Sequence, residues 1–174
     1  KIFLPDNEED MRAALESMDP KELMELAESV FALESRLMLA GPETDEELHE
    51  WLKSELGVTV PRVSVCSDHQ APFDFISDAY FHRHSAFLVM ANRGGSKTFG
   101  VACLHVANAH FKPKVSSATV GAIEAQARRA YAHVQTLLNG NPKLQAEVIN
   151  TILSETKWKN GARLEVLGGT MAAV

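Results

Sequence analysis

With 174 residues, 45% of them hydrophobic and 23% charged, the chain is long enough for one domain with a sizeable core and too apolar to be disordered. It has no bilayer-length apolar run and no secretory leader, which argues against a membrane protein. Cys66 and Cys103 lack metal-type spacing and read as free, buried thiols of a reducing compartment; the start at Lys1 reads as that of a processed or truncated piece.

The net charge of −6 is unevenly placed. Residues 1–57 hold 16 Asp/Glu against 5 Lys/Arg, a balance of −11, while residues 58–174 hold 7 against 12, a balance of +5. An anionic ligand is more at home in the second part. In the first part, residues 7–18 predict a short helix with Met11, Ala14, Leu15 and Met18 on one face. Asp19-Pro20-Lys21-Glu22 is a helix start, with Asp19 as cap, Pro20 in the first turn and Glu22 completing a capping-box-like arrangement. That helix runs to about Leu39, with Leu23, Leu26, Val30, Leu33 and Leu37 at helical spacing, and Gly41-Pro42 stops it. A third helix starts at Thr44, buries Leu48, Trp51, Leu52 and Leu56, and ends at Gly57. This acidic segment packs either on the main domain or on a partner.

After Gly57 the character changes. Residues 58–66 are extended and β-branched-rich, limited by Pro61 to an edge or a linker. Asp68-His69-Gln70-Ala71-Pro72 is a turn-like entry to a helix carrying Phe73, Ile76, Ala79 and Tyr80. Residues 86–91 are a continuous apolar run of the kind a buried parallel strand shows. A helix-compatible stretch covers residues 99–110, a second strand residues 114–119, and a long helix residues 120–138, broken by Gly140-Asn141-Pro142. A short helix over 143–150, a turn at Asn160-Gly161 and a strand around Leu164 and Val166 complete the chain. The order predicts an α/β fold with a mostly parallel sheet flanked by helices, ligands sitting at the carboxyl ends of its strands.

The chemistry concentrates in Asn92-Arg93-Gly94-Gly95-Ser96-Lys97-Thr98, between the apolar run and a helix. Strand, glycine loop, Lys-Thr and helix is the recipe for holding a nucleoside triphosphate. Backbone N–H groups and the positive helix end face the phosphates, the lysine reaches the terminal ones, and the threonine hydroxyl ligates Mg2+. The usual pattern is G-x-x-x-x-G-K-[ST]; aligned on Lys97, Ala91 and Ser96 stand where it has glycines, with Gly94 and Gly95 supplying flexibility from inside. The alternative is an ordinary surface turn. The helix-borne Arg128 and Arg129 read either as phosphate or subunit contacts or as plain surface, and Trp51 and Trp158 as packing residues. No histidine pair has the spacing and acidic partner of a metal site.

Taken together with Ser117-Ala118-Thr119, Gln126-Ala127 and the string Asn160-Gly161-Ala162-Arg163-Leu164-Glu165-Val166, the 68–72 and 92–98 segments resemble the large subunit of phage terminases, the ATPase that drives DNA into viral capsids. The resemblance covers residues 58–174 and implies a P-loop NTPase fold, preceded here by a helical segment over 1–57. It implies ATP and Mg2+ as ligands, with Gln70 reading the adenine edge and Asn92, Arg93, Gly94, Gly95, Ser96, Lys97 and Thr98 holding the nucleotide. Lys97 and Arg93 would act on the transferring phosphoryl group, and Thr98 on the metal. Ser117-Ala118-Thr119 would help couple ATP to DNA, or else merely cap a strand end. Double-stranded DNA, a portal protein, a small terminase subunit and a homo-oligomeric ring are the implied partners, in the cytoplasm of an infected bacterial host. The family's acidic pair at the end of an apolar strand has no counterpart among Glu124, Glu147, Glu155 and Glu165. The chain is therefore expected to stop just before its catalytic carboxylates and to be nearly inactive alone. A helicase-like ATPase and a non-enzymatic interaction module are the competing readings.

Overall fold

The computed structural model describes residues 18–39, 41–152 and 154–169, which fall into two compact units, Lys1–Ala40 and Gly41–Val174. The helix expected over 7–18 lies outside the described residues, apart from Met18. In the first unit, α1 spans Pro20–Leu39. Its start follows from the sequence: the Asp19 carboxylate accepts from the Lys21 N–H at 2.9 Å, and the proline occupies a position whose N–H has no helical partner.

The second unit opens with α2, Asp45–Glu55, fixed by a full capping box. Thr44 Oγ1 accepts from the Glu47 N–H at 3.2 Å, and Glu47 Oε2 accepts from the N–H groups of Thr44 and Glu43 at 3.1 and 2.7 Å. Leu48 and Leu52, one helical turn apart, are fully buried and belong to the same core as Phe73, Ile76, Val106, Val134, Trp158 and Leu164. A polar clasp ties α2 to α3, Asp74–Tyr80. Ser77 Oγ donates to Asp45 Oδ1 at 2.5 Å and Arg83 Nη2 donates to the same oxygen at 2.6 Å. Burial pushes the Asp45 carboxyl up, but the hydrogen bonds from Arg83 and Ser77 outweigh it and hold the group below its ordinary value. A carboxyl lowered in the folded state stabilises at neutral pH, and that contribution is lost as pH falls below about 4. Asp45→Asn is therefore expected to lower the urea midpoint at pH 7 and to narrow the difference between wild type and variant at about pH 3.

The remaining elements are α4 (Lys97–Phe111), β1 (Ser116–Gly121), α5 (Glu124–Asn139), α6 (Pro142–Glu147), β2 (Val148–Ile152), β3 (Glu155–Trp158) and β4 (Arg163–Gly168). Among the described residues, four strands form one sheet in the order β1-β4-β3-β2. In this sheet β1 and β4 run parallel, in register from Ser116 opposite Arg163 to Gly121 opposite Gly168, while β4–β3 and β3–β2 are antiparallel. This corrects the expected mostly parallel, P-loop-type sheet. The cause is the short connections. β3 returns to β4 through a turn at Asn160-Gly161, where Gly161 takes φ +85° and Trp158 N–H bonds to Ala162 O at 2.9 Å. β2 returns to β3 as directly, and a tight return can only be antiparallel. The long passage from β1 to β4 leaves room for the one parallel pair.

Two further expectations are corrected. The helix expected over 143–150 stops at Glu147, where the β-branched run Val148-Ile149-Asn150-Thr151-Ile152 takes over as β2. Residues 86–91 form no strand: among the described residues no backbone–backbone hydrogen bond involves 84–91, and Leu88 and Met90 are 86% and 83% exposed. An apolar run makes a buried strand only where a neighbouring strand meets it, and among the described residues none does.

The sheet's inner face, with Leu164, Val166, Thr156 and Trp158, is buried, whereas Ser116, Val120, Lys157, Arg163 and Leu167 are exposed. Tyr131 on α5 crosses to the sheet, its hydroxyl 2.7 Å from Thr156 Oγ1, which satisfies that buried threonine. Among the described residues no helix is long and apolar enough to cross a membrane.

Candidate phosphate-binding loop

The loop at residues 92–96 turns on its glycines. Gly95 N–H bonds to Asn92 O at 3.2 Å, closing a tight bend, and Gly94 sits at φ +89°, where a side chain is strained. A Cβ on Gly95 would stand 3.0 Å from Ala91 Cβ and 3.2 Å from Asn92 O, so that close approach also needs glycine. Ser96 then adopts φ 53°, ψ 18°, a left-handed conformation unusual for serine. Helix α4 begins at the next residue; its first internal bond runs from Gly100 N–H to Ser96 O at 2.8 Å.

This helix N-terminus is bare. Among the described residues no side chain caps it, and no acidic residue lies in its first turn. The leading N–H groups of a helix have no intrahelical partner, and the macrodipole makes that end positive. Lys97 adds a full positive charge at the first helical position, where a lysine is unfavourable in the absence of an anion. Its ammonium folds back over the bend and donates to Ala91 O at 2.5 Å and Asn92 O at 3.0 Å. Orphan N–H groups, an ammonium and the exposed Arg93 thus share one short loop. Among the described residues, no carboxylate pairs with Arg93 or Lys97. Thr98 is exposed in the first turn of α4.

Asn92, Arg93, Gly94, Gly95, Ser96, Lys97 and Thr98 are therefore brought together by one bend. Gln70 is exposed in the loop that leads into α3, and it makes no hydrogen bond with residues 92–98. Helix α3 nonetheless leans on the start of α4: Gly100 is buried, and a Cβ there would run into the Phe75 ring and lie 3.3 Å from Ile76 Cδ1. The absence of a side chain at Gly100 lets the two helices close up.

Ser117, Ala118 and Thr119 lie on β1 rather than beyond its end. Thr119 Oγ1 is 3.1 Å from Nε2 of His105, a residue of α4 that the sequence did not single out. Burial pushes the His105 imidazole down to about 4, so it is neutral at physiological pH and links the helix behind the loop to β1. A histidine inside an otherwise apolar helix face was the signal available. Arg128 is held by Glu124 at 2.6 Å on its own helix, which favours a surface role. Among the described residues no group of three or more His, Cys, Asp or Glu side chains could hold a metal ion. No protein-family model matches the chain, and no curated protein matches it.

Proposed function

We propose that the second unit is a polyphosphate-binding module whose ligand lies against residues 92–98. More particularly, it is the ATP-binding part of a DNA-packaging ATPase of the large-terminase type, acting with Mg2+ through Thr98. The observation that carries the first step is the uncapped, acid-free start of α4 with a lysine at its first position. The second step rests on the motif resemblance over 58–174, with Gln70 as the adenine reader and Arg93 beside the terminal phosphate. Double-stranded DNA, a portal, a small terminase subunit and a ring of copies in the host cytoplasm belong to that second step. ATP titration by calorimetry, wild type against Lys97→Ala, tests the first; retention of equal affinity removes it.

Binding and turnover separate in this reading. Phosphoryl transfer needs a carboxylate to hold the metal and another group to orient water. The four acidic residues after the loop are engaged elsewhere: Glu124 with Arg128 at 2.6 Å, Glu147 with His110 at 2.7 Å, Glu155 with Lys157 at 3.1 Å and Glu165 with Arg163 at 3.7 Å. The chain by itself is expected to bind ATP and release almost no phosphate in a coupled assay. Rapid, Lys97-dependent turnover by this chain alone would contradict the assignment.

A further inference from the structure

We propose that Cys66 and His69 form an activated-thiol site at which the chain undergoes reversible thiol–disulfide exchange with small disulfides. The assignment is independent of the nucleotide reading. The sequence reads Cys66 as buried; the structure places it on the surface, with the neighbouring Val65 95% exposed. The Cys66 Sγ lies 2.8 Å from Nδ1 of His69. The contact is built by the backbone: His69 N–H bonds to Cys66 O at 3.2 Å, closing a four-residue turn that sets the two side chains beside each other. A nucleophile and a base within hydrogen-bond reach, both open to solvent, are what thiol activation requires.

The charged surroundings leave the pair to itself. Asp68, between them in sequence, accepts from Ser67 Oγ at 3.4 Å and makes no hydrogen bond with His69. Among the described residues no other charged group bonds to either side chain. Cys103 is the internal contrast: it is fully buried on α4, and burial pushes its thiol up to about 12. One cysteine is therefore accessible and paired with a base, and the other is silent.

The Cys66 thiol passes its proton to Nδ1 of His69. The resulting thiolate attacks one sulfur of a disulfide R–S–S–R, forming Cys66–S–S–R and breaking the original S–S bond. The departing R–S⁻ takes the proton from the imidazolium and leaves as a thiol. No electrons are gained or lost overall, and excess free thiol runs the exchange backwards.

The test follows the reaction of the whole chain with dithiodipyridine by the absorbance of the released thiopyridone, with glutathione as the reference thiol. At about pH 6.5, Cys66 is expected to react at least about fivefold faster than glutathione, because an imidazole within hydrogen-bond reach takes the thiol proton as the sulfur attacks. His69→Ala should remove that advantage. His69→Gln, with circular dichroism as a check of folding, guards against a disturbed turn. Glutathione disulfide should add one glutathione, mapped to Cys66 by mass spectrometry and absent in Cys66→Ser. A wild-type rate no faster than glutathione, or equal rates in wild type and both His69 variants, overturns the proposal.

Discussion

Replacing Lys97 with alanine is expected to weaken ATP binding by at least about tenfold and to leave the stability of the free protein within about 0.5 kcal/mol of wild type. The binding loss follows from charge-assisted hydrogen bonds to phosphate, worth roughly 1.5–3 kcal/mol each, of which one or two would be removed. The neutral effect on stability follows from two opposed terms. The exposed ammonium loses its bonds to Ala91 O and Asn92 O. Against that, a cation leaves the positive end of α4, which relieves roughly 0.3–1 kcal/mol. The two outcomes separate the competing roles of this lysine. If it exists to staple the bend through those two carbonyls, Lys97→Ala destabilises the protein and does nothing specific to ATP. If it awaits a polyphosphate, affinity collapses in a protein that unfolds as before. Calorimetry and urea unfolding on one pair of proteins give both numbers. Tripolyphosphate should behave as ATP does, since the loop grips the phosphates and not the base.

The parts of this fold legible in the sequence are those set by neighbouring residues. Asp19-Pro20 gave the first turn of α1, Thr44 with Glu47 gave the capping box of α2, and Asn160-Gly161 gave a turn, because a cap or a positive φ needs a particular residue at one place. The helix-compatible stretch 99–110 falls within α4, which starts two residues earlier, at Lys97. What did not follow was pairing. An apolar run such as 86–91 carries no information about whether another strand meets it, and here it lies exposed and unpaired. The run Val148-Ile149-Asn150-Thr151-Ile152 is rich in β-branched residues and readable as a strand, but the helix expected over 143–150 was carried three residues into it. Missing β2 and β3 meant missing both hairpins, and with them the mixed sheet. At the candidate site the loop was legible because it is contiguous. The His105–Thr119 contact was not, because it joins a helix to a strand across 14 residues of chain.

The largest loss of stability is expected at Phe73, at the hinge between the Gln70 loop and the core. Phe73 is 1% exposed; its ring meets His49 edge-on at 5.1 Å and carries the Arg62 guanidinium at 5.4 Å from its centroid. Its backbone is as engaged as its ring. The N–H bonds to Pro61 O at 3.1 Å, and its carbonyl accepts from the N–H groups of Ile76 and Ser77 at 3.0 Å each, starting α3. Truncation to alanine keeps those backbone bonds and empties a phenyl-sized volume between α2 and α3. The capping box fixes one wall and the Asp45–Ser77–Arg83 clasp the other, so little collapse can fill the gap. Such cavities cost about 3–5 kcal/mol, a large share of an ordinary domain's stability, and lower the melting temperature by roughly 10 °C or more. Phe73→Leu, which fills most of the space, should cost less than half as much. A penalty below about 1 kcal/mol for the alanine variant would mean that α3 is not anchored through this ring. The leucine variant, still folded, then tests the site: if α3 holds the Gln70 loop in place to read a base, ATP should lose affinity in it while tripolyphosphate keeps its own.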